Sequence, residues 1–155
     1  MEAQAARERL WRYAPLILWM AFIASASSVE FSAEHTSKII RPLLLWLFPN
    51  ISEETIGVVH FLTRKAAHFT EFAVLGLLSA RAFAVSSRQI LRRWWFFAGI
   101  LLVILWALLD EFHQSFVPSR TASLYDSLID IAGGLTALVG YAYAHAHAGK
   151  VEADQ

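Results

Sequence analysis

Apolar residues in this chain come in long blocks. They show neither the alternation of a half-buried strand nor the narrow stripe of an amphipathic helix on a soluble core. The longest block, WWFFAGILLVILWALL at residues 94–109, contains no polar side chain other than the indole N–H groups of its tryptophans. A helix that crosses the hydrocarbon of a bilayer needs ~20 mostly apolar residues. Four segments approach that length: 11–28 (WRYAPLILWMAFIASASS), 66–85 (AAHFTEFAVLGLLSARAFAV), 94–116 and 124–143 (LYDSLIDIAGGLTALVGYAY). The pattern predicts an all-α, multi-pass membrane protein, a bundle of four transmembrane helices forming one domain over residues 1–155.

The stretch between the first two blocks, residues 29–65, is long for a plain connection. Pro42 and Pro49 bracket LLLWLF, and Ser52-Glu53-Glu54 has the character of a helix start. Ile56, Val59 and Leu62 then recur at helical spacing. An amphipathic interfacial segment over roughly residues 36–63 is expected, lying on the membrane surface. The linker SSRQILRR (86–93) is short and basic, and residues 144–155 read as a polar, frayed tail. The first block also fits a secretory signal, since Arg7, Arg9 and Arg12 precede an apolar stretch ending in Ala24-Ser25-Ala26. Its late apolar start and its tryptophans favour a retained span.

Composition sharpens this picture. Of 155 residues, 57% are hydrophobic, above the about 45–50% of soluble domains, and the mean hydropathy is +0.46. Thirteen basic residues balance thirteen acidic ones, which excludes a nucleic-acid binder that relies on basic excess. The absence of cysteine excludes disulfides and thiolate metal sites. With both termini in the cytoplasm, eight Lys/Arg fall inside and five outside, the sense of the positive-inside rule.

Alternation of four spans brings the start of the second, the end of the third and the start of the fourth to one membrane face. Those ends carry nearly all the ionisable groups: Arg64, Lys65, His68 and Glu71; Asp110, Glu111, His113 and Gln114; Ser123, Asp126, Ser127 and Asp130. The loop VPSRTAS adds Arg120. Residues three or four apart share a helix face, so Lys65, His68 and Glu71 form one stripe and Ser123, Asp126 and Asp130 another. Charged groups at membrane depth are costly and are expected to turn inward toward partners. Gly133, Gly134, Ala137 and Gly140 are expected to let helices approach.

Several chemistries fit this cluster. An ion-pair network fixing the helices would set Arg64, Lys65 and Arg120 against Glu71, Asp110, Glu111, Asp126 and Asp130, leaving an acidic surplus. That surplus argues for a proton, a metal or a charged histidine. His68, Glu71, Asp110, Glu111 and His113 are nitrogen and oxygen donors of the kind zinc accepts. No established motif such as HExxH accompanies them, so no metal ligand and no cofactor is assigned. Arg120 and Lys65 suit the anionic head of a lipid, with Gln114, Ser123, Asp130 and His113 as further ligand contacts. Asp110, Glu111, His68, Glu71 and Asp126 form the polar core with the means for acid–base catalysis. Ser123 and Ser127 lack a nucleophile elbow.

RKAAHFTEFAVLGLLSAR followed by DEFHQSFVPSRTASLYDSLIDIAGGLTALVG resembles the VanZ-like family of bacterial membrane proteins. The likeness falls on Lys65, His68, Phe69, Glu71 and Phe72, then on Asp110, Glu111, Gln114, Phe116, Pro118, Arg120, Ser123, Asp126 and Gly134. It covers about residues 11–143. Ser119 stands where the family usually has glycine and Asp130 where it usually has asparagine. The first bears on the turn before Arg120, the second on the proton or metal content of the site. The resemblance implies a multi-pass protein of the bacterial plasma membrane, in a family whose namesake is linked to low-level teicoplanin resistance. It implies as partners membrane lipids, a lipid-linked cell-wall intermediate or a glycopeptide. The expected role is a cell-envelope protein that binds or processes such a ligand at the outer face. A membrane-embedded hydrolase or transferase, metal-dependent in one form, is the alternative, and a structural network without ligand the second.

Overall fold

The computed structural model describes residues 2–27, 33–116 and 123–153. All regular structure among them is helical: α1 (Glu2–Ala26), α2 (Ala33–Leu47), α3 (Glu53–Ala84), α4 (Gln89–Arg93), α5 (Trp95–Gln114) and α6 (Leu124–Ala153).

α3 begins where the sequence signals it. Ser52 is extended, with φ −74° and ψ 149°, and its hydroxyl accepts the Thr55 N–H. Glu53 and Glu54 then place negative charge at the positive end of the helix dipole. The expected break between an interfacial helix ending near residue 63 and a separate span from 66 does not occur. No proline interrupts residues 53–84, so one helix of 32 residues runs about 48 Å at 1.5 Å per residue. The stretch expected to be interfacial is therefore folded as α2 plus the first turns of α3. α2 runs through Pro42 and stops before Pro49. It packs on α3, and Arg41 Nη2 lies 2.5 Å from Glu53 Oε1. The hydrogen bond and charge of Arg41 hold the Glu53 carboxyl below its ordinary range. The segment after Tyr143, read as a frayed tail, continues α6 as helix to Ala153.

α3 is the centre of the bundle and touches α6, α5, α1 and α2, most extensively α6. Glycine sets that closeness. A Cβ at Gly76 would overlap the Gly134 carbonyl, one at Gly133 the Phe69 carbonyl, and one at Gly134 the Val103 side chain. The expected packing role thus holds for Gly133 and Gly134. Gly140 has nothing within 4 Å of a built Cβ and plays no such part. Around the crossing Ile23, Phe72, Leu75, Val103 and Leu138 are fully buried.

Most apolar surface points outward. Leu10, Trp11, Ile17 and Leu18 on α1, Leu101 and Leu105 on α5, and Leu128 and Val139 on α6 are all exposed. Among the described residues, two helical segments are long and apolar enough to cross a membrane, Trp95–Gln114 and Leu124–His147, each only 28% buried. The other two expected spans fall short of that measure. Arg64, Lys65, Glu71 and Arg81 dilute α3, and Arg7, Glu8, Arg9 and Arg12 leave α1 a short apolar stretch.

Candidate functional site

α1 and α3 run antiparallel. The Tyr13 and Ser86 hydroxyls are hydrogen-bonded at 2.7 Å and Arg12 donates to Ser87 at 2.8 Å. Further along α1, the Trp19 indole N–H donates to the Glu71 carbonyl at 2.8 Å. The end of the bundle away from Ser86 is where α3, α5 and α6 bring their polar residues together.

On α5 the pattern of burial repeats every three to four residues, through Gly99, Val103, Ala107, Asp110, Glu111 and Gln114. One inward face thus passes from apolar to polar in its last turns. Asp110, Glu111 and Gln114 are 5%, 7% and 4% exposed. Gln114 Nε2 donates to Asp110 Oδ2 at 2.6 Å, the i, i+4 pair expected from spacing. Glu111 Oε1 accepts the backbone N–H of Ser123 and so ties the end of α5 to the start of α6. A carboxylate there also meets the positive end of the α6 dipole.

The α3 and α6 stripes meet in register. Lys65 Nζ lies 2.5 Å from Asp126 Oδ1, both side chains being partly open to the surface, and over the Phe61 ring at 5.1 Å from its centroid. One turn deeper, His68 Nδ1 faces Asp130 Oδ1 at 3.4 Å. Asp130 is almost fully buried. One ligand-type atom each from His68, Asp110 and Asp130 lies within 4.8 Å of the others. Glu71, one turn along α3, is within electrostatic reach of His68.

Polar satisfaction in this layer is incomplete. His68 Nδ1, Asp110 Oδ1, Ser127 Oγ and Asp130 Oδ1 are buried without a hydrogen-bond partner. Buried polar groups are nearly always paired, so these atoms set this end of the bundle apart from its apolar core.

Most residues singled out in the sequence converge here: Lys65, His68, Glu71, Asp110, Glu111, Gln114, Ser123, Asp126 and Asp130. His113 is exposed at the end of α5 and points off the buried face. Arg120, with Pro118 and Ser119, lies outside the described residues. The sequence reading gave Ser127 no site role beyond noting that it lacks a nucleophile elbow, although its spacing of three from Asp130 puts it on the same face. It also gave no role to Trp19, one indole in an apolar block with no signal to set it apart.

The family model described as VanZ/LLP1 matches residues 10–145, a range that takes in all four expected spans and every residue of the site. No curated protein and no solved structure matches the chain.

Proposed function

Since the chain belongs to the VanZ/LLP1 family of membrane proteins, we propose that it is a multi-pass cell-envelope protein whose outer-face polar site binds or processes an anionic, lipid-linked or glycopeptide-type ligand, in a role related to glycopeptide resistance. The observation that carries this is the convergence of three helices on one polar end, with Lys65–Asp126 at its rim and His68, Asp110 and Asp130 beneath. Lys65 keeps about a fifth of its side chain exposed, so it offers its charge to a headgroup while Asp126 holds it in place. In this reading α1 and α3 cross the membrane alongside α5 and α6, which accounts for the exposed Leu10, Trp11, Ile17 and Leu18 on α1. Both termini then lie in the cytoplasm and the connection between α5 and α6, whose sequence holds Arg120, lies on the outer side.

The buried polar atoms without partners favour the processing form of this reading, in which His68 and the carboxylates do acid–base work on a ligand held at the rim. A purely structural network would leave fewer buried polar atoms unpaired.

Native mass spectrometry of the full chain released from mild detergent tests the binding, with Lys65→Ala and Arg120→Ala alongside. A retained phosphate-bearing lipid that both variants lose supports it. A bare wild-type protein that also takes up no phosphatidylglycerol from mixed micelles overturns it.

A further inference from the structure

We propose that His68, Asp110 and Asp130 form a binding site for one divalent transition-metal ion of the zinc or manganese kind. The inference goes beyond the reading of an anionic ligand at the rim. It concerns the layer beneath Lys65 and stands or falls independently of lipid binding.

Each of three helices supplies one donor: an imidazole nitrogen from α3 and a carboxylate oxygen from each of α5 and α6. At 3.4 Å, His68 Nδ1 and Asp130 Oδ1 are farther apart than an ordinary hydrogen bond. That spacing matches two ligands on one tetrahedral ion. Donors about 2.1 Å from a metal and separated by the tetrahedral angle lie about 3.4 Å apart. One Asp110 carboxylate oxygen completes the group within 4.8 Å. Gln114 donates to Asp110 Oδ2 and so fixes the carboxylate in the way outer hydrogen bonds orient metal ligands.

The polar inventory points the same way. His68 Nδ1, Asp110 Oδ1 and Asp130 Oδ1 are each buried without a hydrogen-bond partner, and Asp110 and Asp130 are 5% and 1% exposed. A protonated His68 would serve Asp130 yet leave Asp110 Oδ1 unsatisfied. A single cation satisfies all three and offsets two carboxylates that would otherwise repel each other. Nitrogen and oxygen donors without sulfur suit zinc or manganese, and three protein ligands leave at least one position open to water or substrate. This set differs from the donors the sequence pattern suggested. Glu111 is engaged by the Ser123 N–H and His113 is exposed.

The test is metal analysis of the full chain in detergent micelles. A background of His145→Ala and His147→Ala removes the exposed histidines at the end of α6. The protein is loaded with Zn²⁺ or Mn²⁺, desalted, and its metal measured by inductively coupled plasma mass spectrometry. The expected content is about one ion per chain, with an affinity about tenfold or more weaker in Asp130→Asn and in His68→Gln. Loading with Co²⁺ gives a second readout that needs no variant, a visible d–d band that zinc displaces. The proposal is overturned if the His145→Ala, His147→Ala background takes up neither zinc nor manganese and shows no cobalt band. It is equally overturned if a folded Asp130→Asn variant binds as tightly as that background.

Discussion

Lys65 Nζ and Asp126 Oδ1 stand 2.5 Å apart across the α3–α6 interface, one turn above the facing pair His68 and Asp130. The offsets along the two helices, three residues on α3 and four on α6, each equal about one turn. The helices therefore run alongside each other with two polar pairs stacked from the rim inward.

Lys65→Met removes the cation and leaves Asp126 partly buried against α3. Because both side chains retain some solvent contact, the expected loss is about 1–2 kcal/mol. Lys65→Met with Asp126→Asn removes the orphaned charge as well, and its stability should return to within about 1 kcal/mol of the parent. A double-mutant cycle on thermal unfolding in detergent reads the coupling directly. Strictly additive losses would show that the pair contributes no coupling.

The glycine crossing supports the same registration. Alanine at Gly76 or Gly133 must displace a backbone carbonyl of the facing helix, Gly134 in one case and Phe69 in the other. The expected cost is about 1–3 kcal/mol. Because Phe69 adjoins His68, the Gly133→Ala change should also disturb the inner polar pair. Gly140→Ala meets open space and should stay within about 0.5 kcal/mol of the parent. Side-by-side melting curves of the three variants check the ranking. Equal effects at all three positions would contradict the close approach of α3 and α6.

Much of this was legible in the residues. The stripes Lys65–His68 and Asp126–Asp130 and the pair Asp110–Gln114 follow from helical spacing, and alternation of the apolar blocks put them at one end. Spacing alone does not say where a buried arc is centred. His113 is three residues from Asp110 and passes the spacing rule. It nevertheless lies about 100° from the centre of the arc formed by Gly99, Val103, Ala107, Asp110, Glu111 and Gln114, at 100° per residue, and so is exposed. The unbroken length of α3 was hidden for a related reason. Ser52 marks a start, but nothing between His60 and Ala66 marks a stop, and the charges there read as a boundary. Pairing across helices, such as Glu111 with the Ser123 N–H, depends on a tertiary register that no local pattern carries.

α1 is held by more than apolar contact. Leu16 and Ile23 are buried in the core and the Trp19 indole donates to the Glu71 carbonyl. Trp19→Phe keeps the ring and loses the donor, with an expected cost of about 0.5–1.5 kcal/mol. Trp19→Ala also opens a cavity and should cost more, about 3–5 kcal/mol. Removal of α1 by cleavage after Ala26 would expose the α3 surface it covers. Intact mass analysis of the protein isolated from membranes should therefore find residues 2–26 present, and a mature chain lacking them would show that the bundle holds without α1.

Topology gives the most direct check of the four-span reading, and the absence of native cysteine makes it clean. Asn50, Ser87, Ser115 and His147 are exposed positions near the helix ends. If α1, α3, α5 and α6 all cross the bilayer, Asn50→Cys and Ser115→Cys lie on the outer side with the polar site, and Ser87→Cys and His147→Cys on the inner side. A membrane-impermeant maleimide applied to intact cells should label the first two, and the second two only after the membrane is opened. Labelling of Ser87→Cys in intact cells, with Ser115→Cys also labelled, would mean that α5 does not cross. The polar end would then face water on the same side as the basic linker. Protection of Ser115→Cys with labelling of Ser87→Cys would instead invert the protein and place His68, Asp110 and Asp130 at the cytoplasmic face, against the outer-face reading of the site.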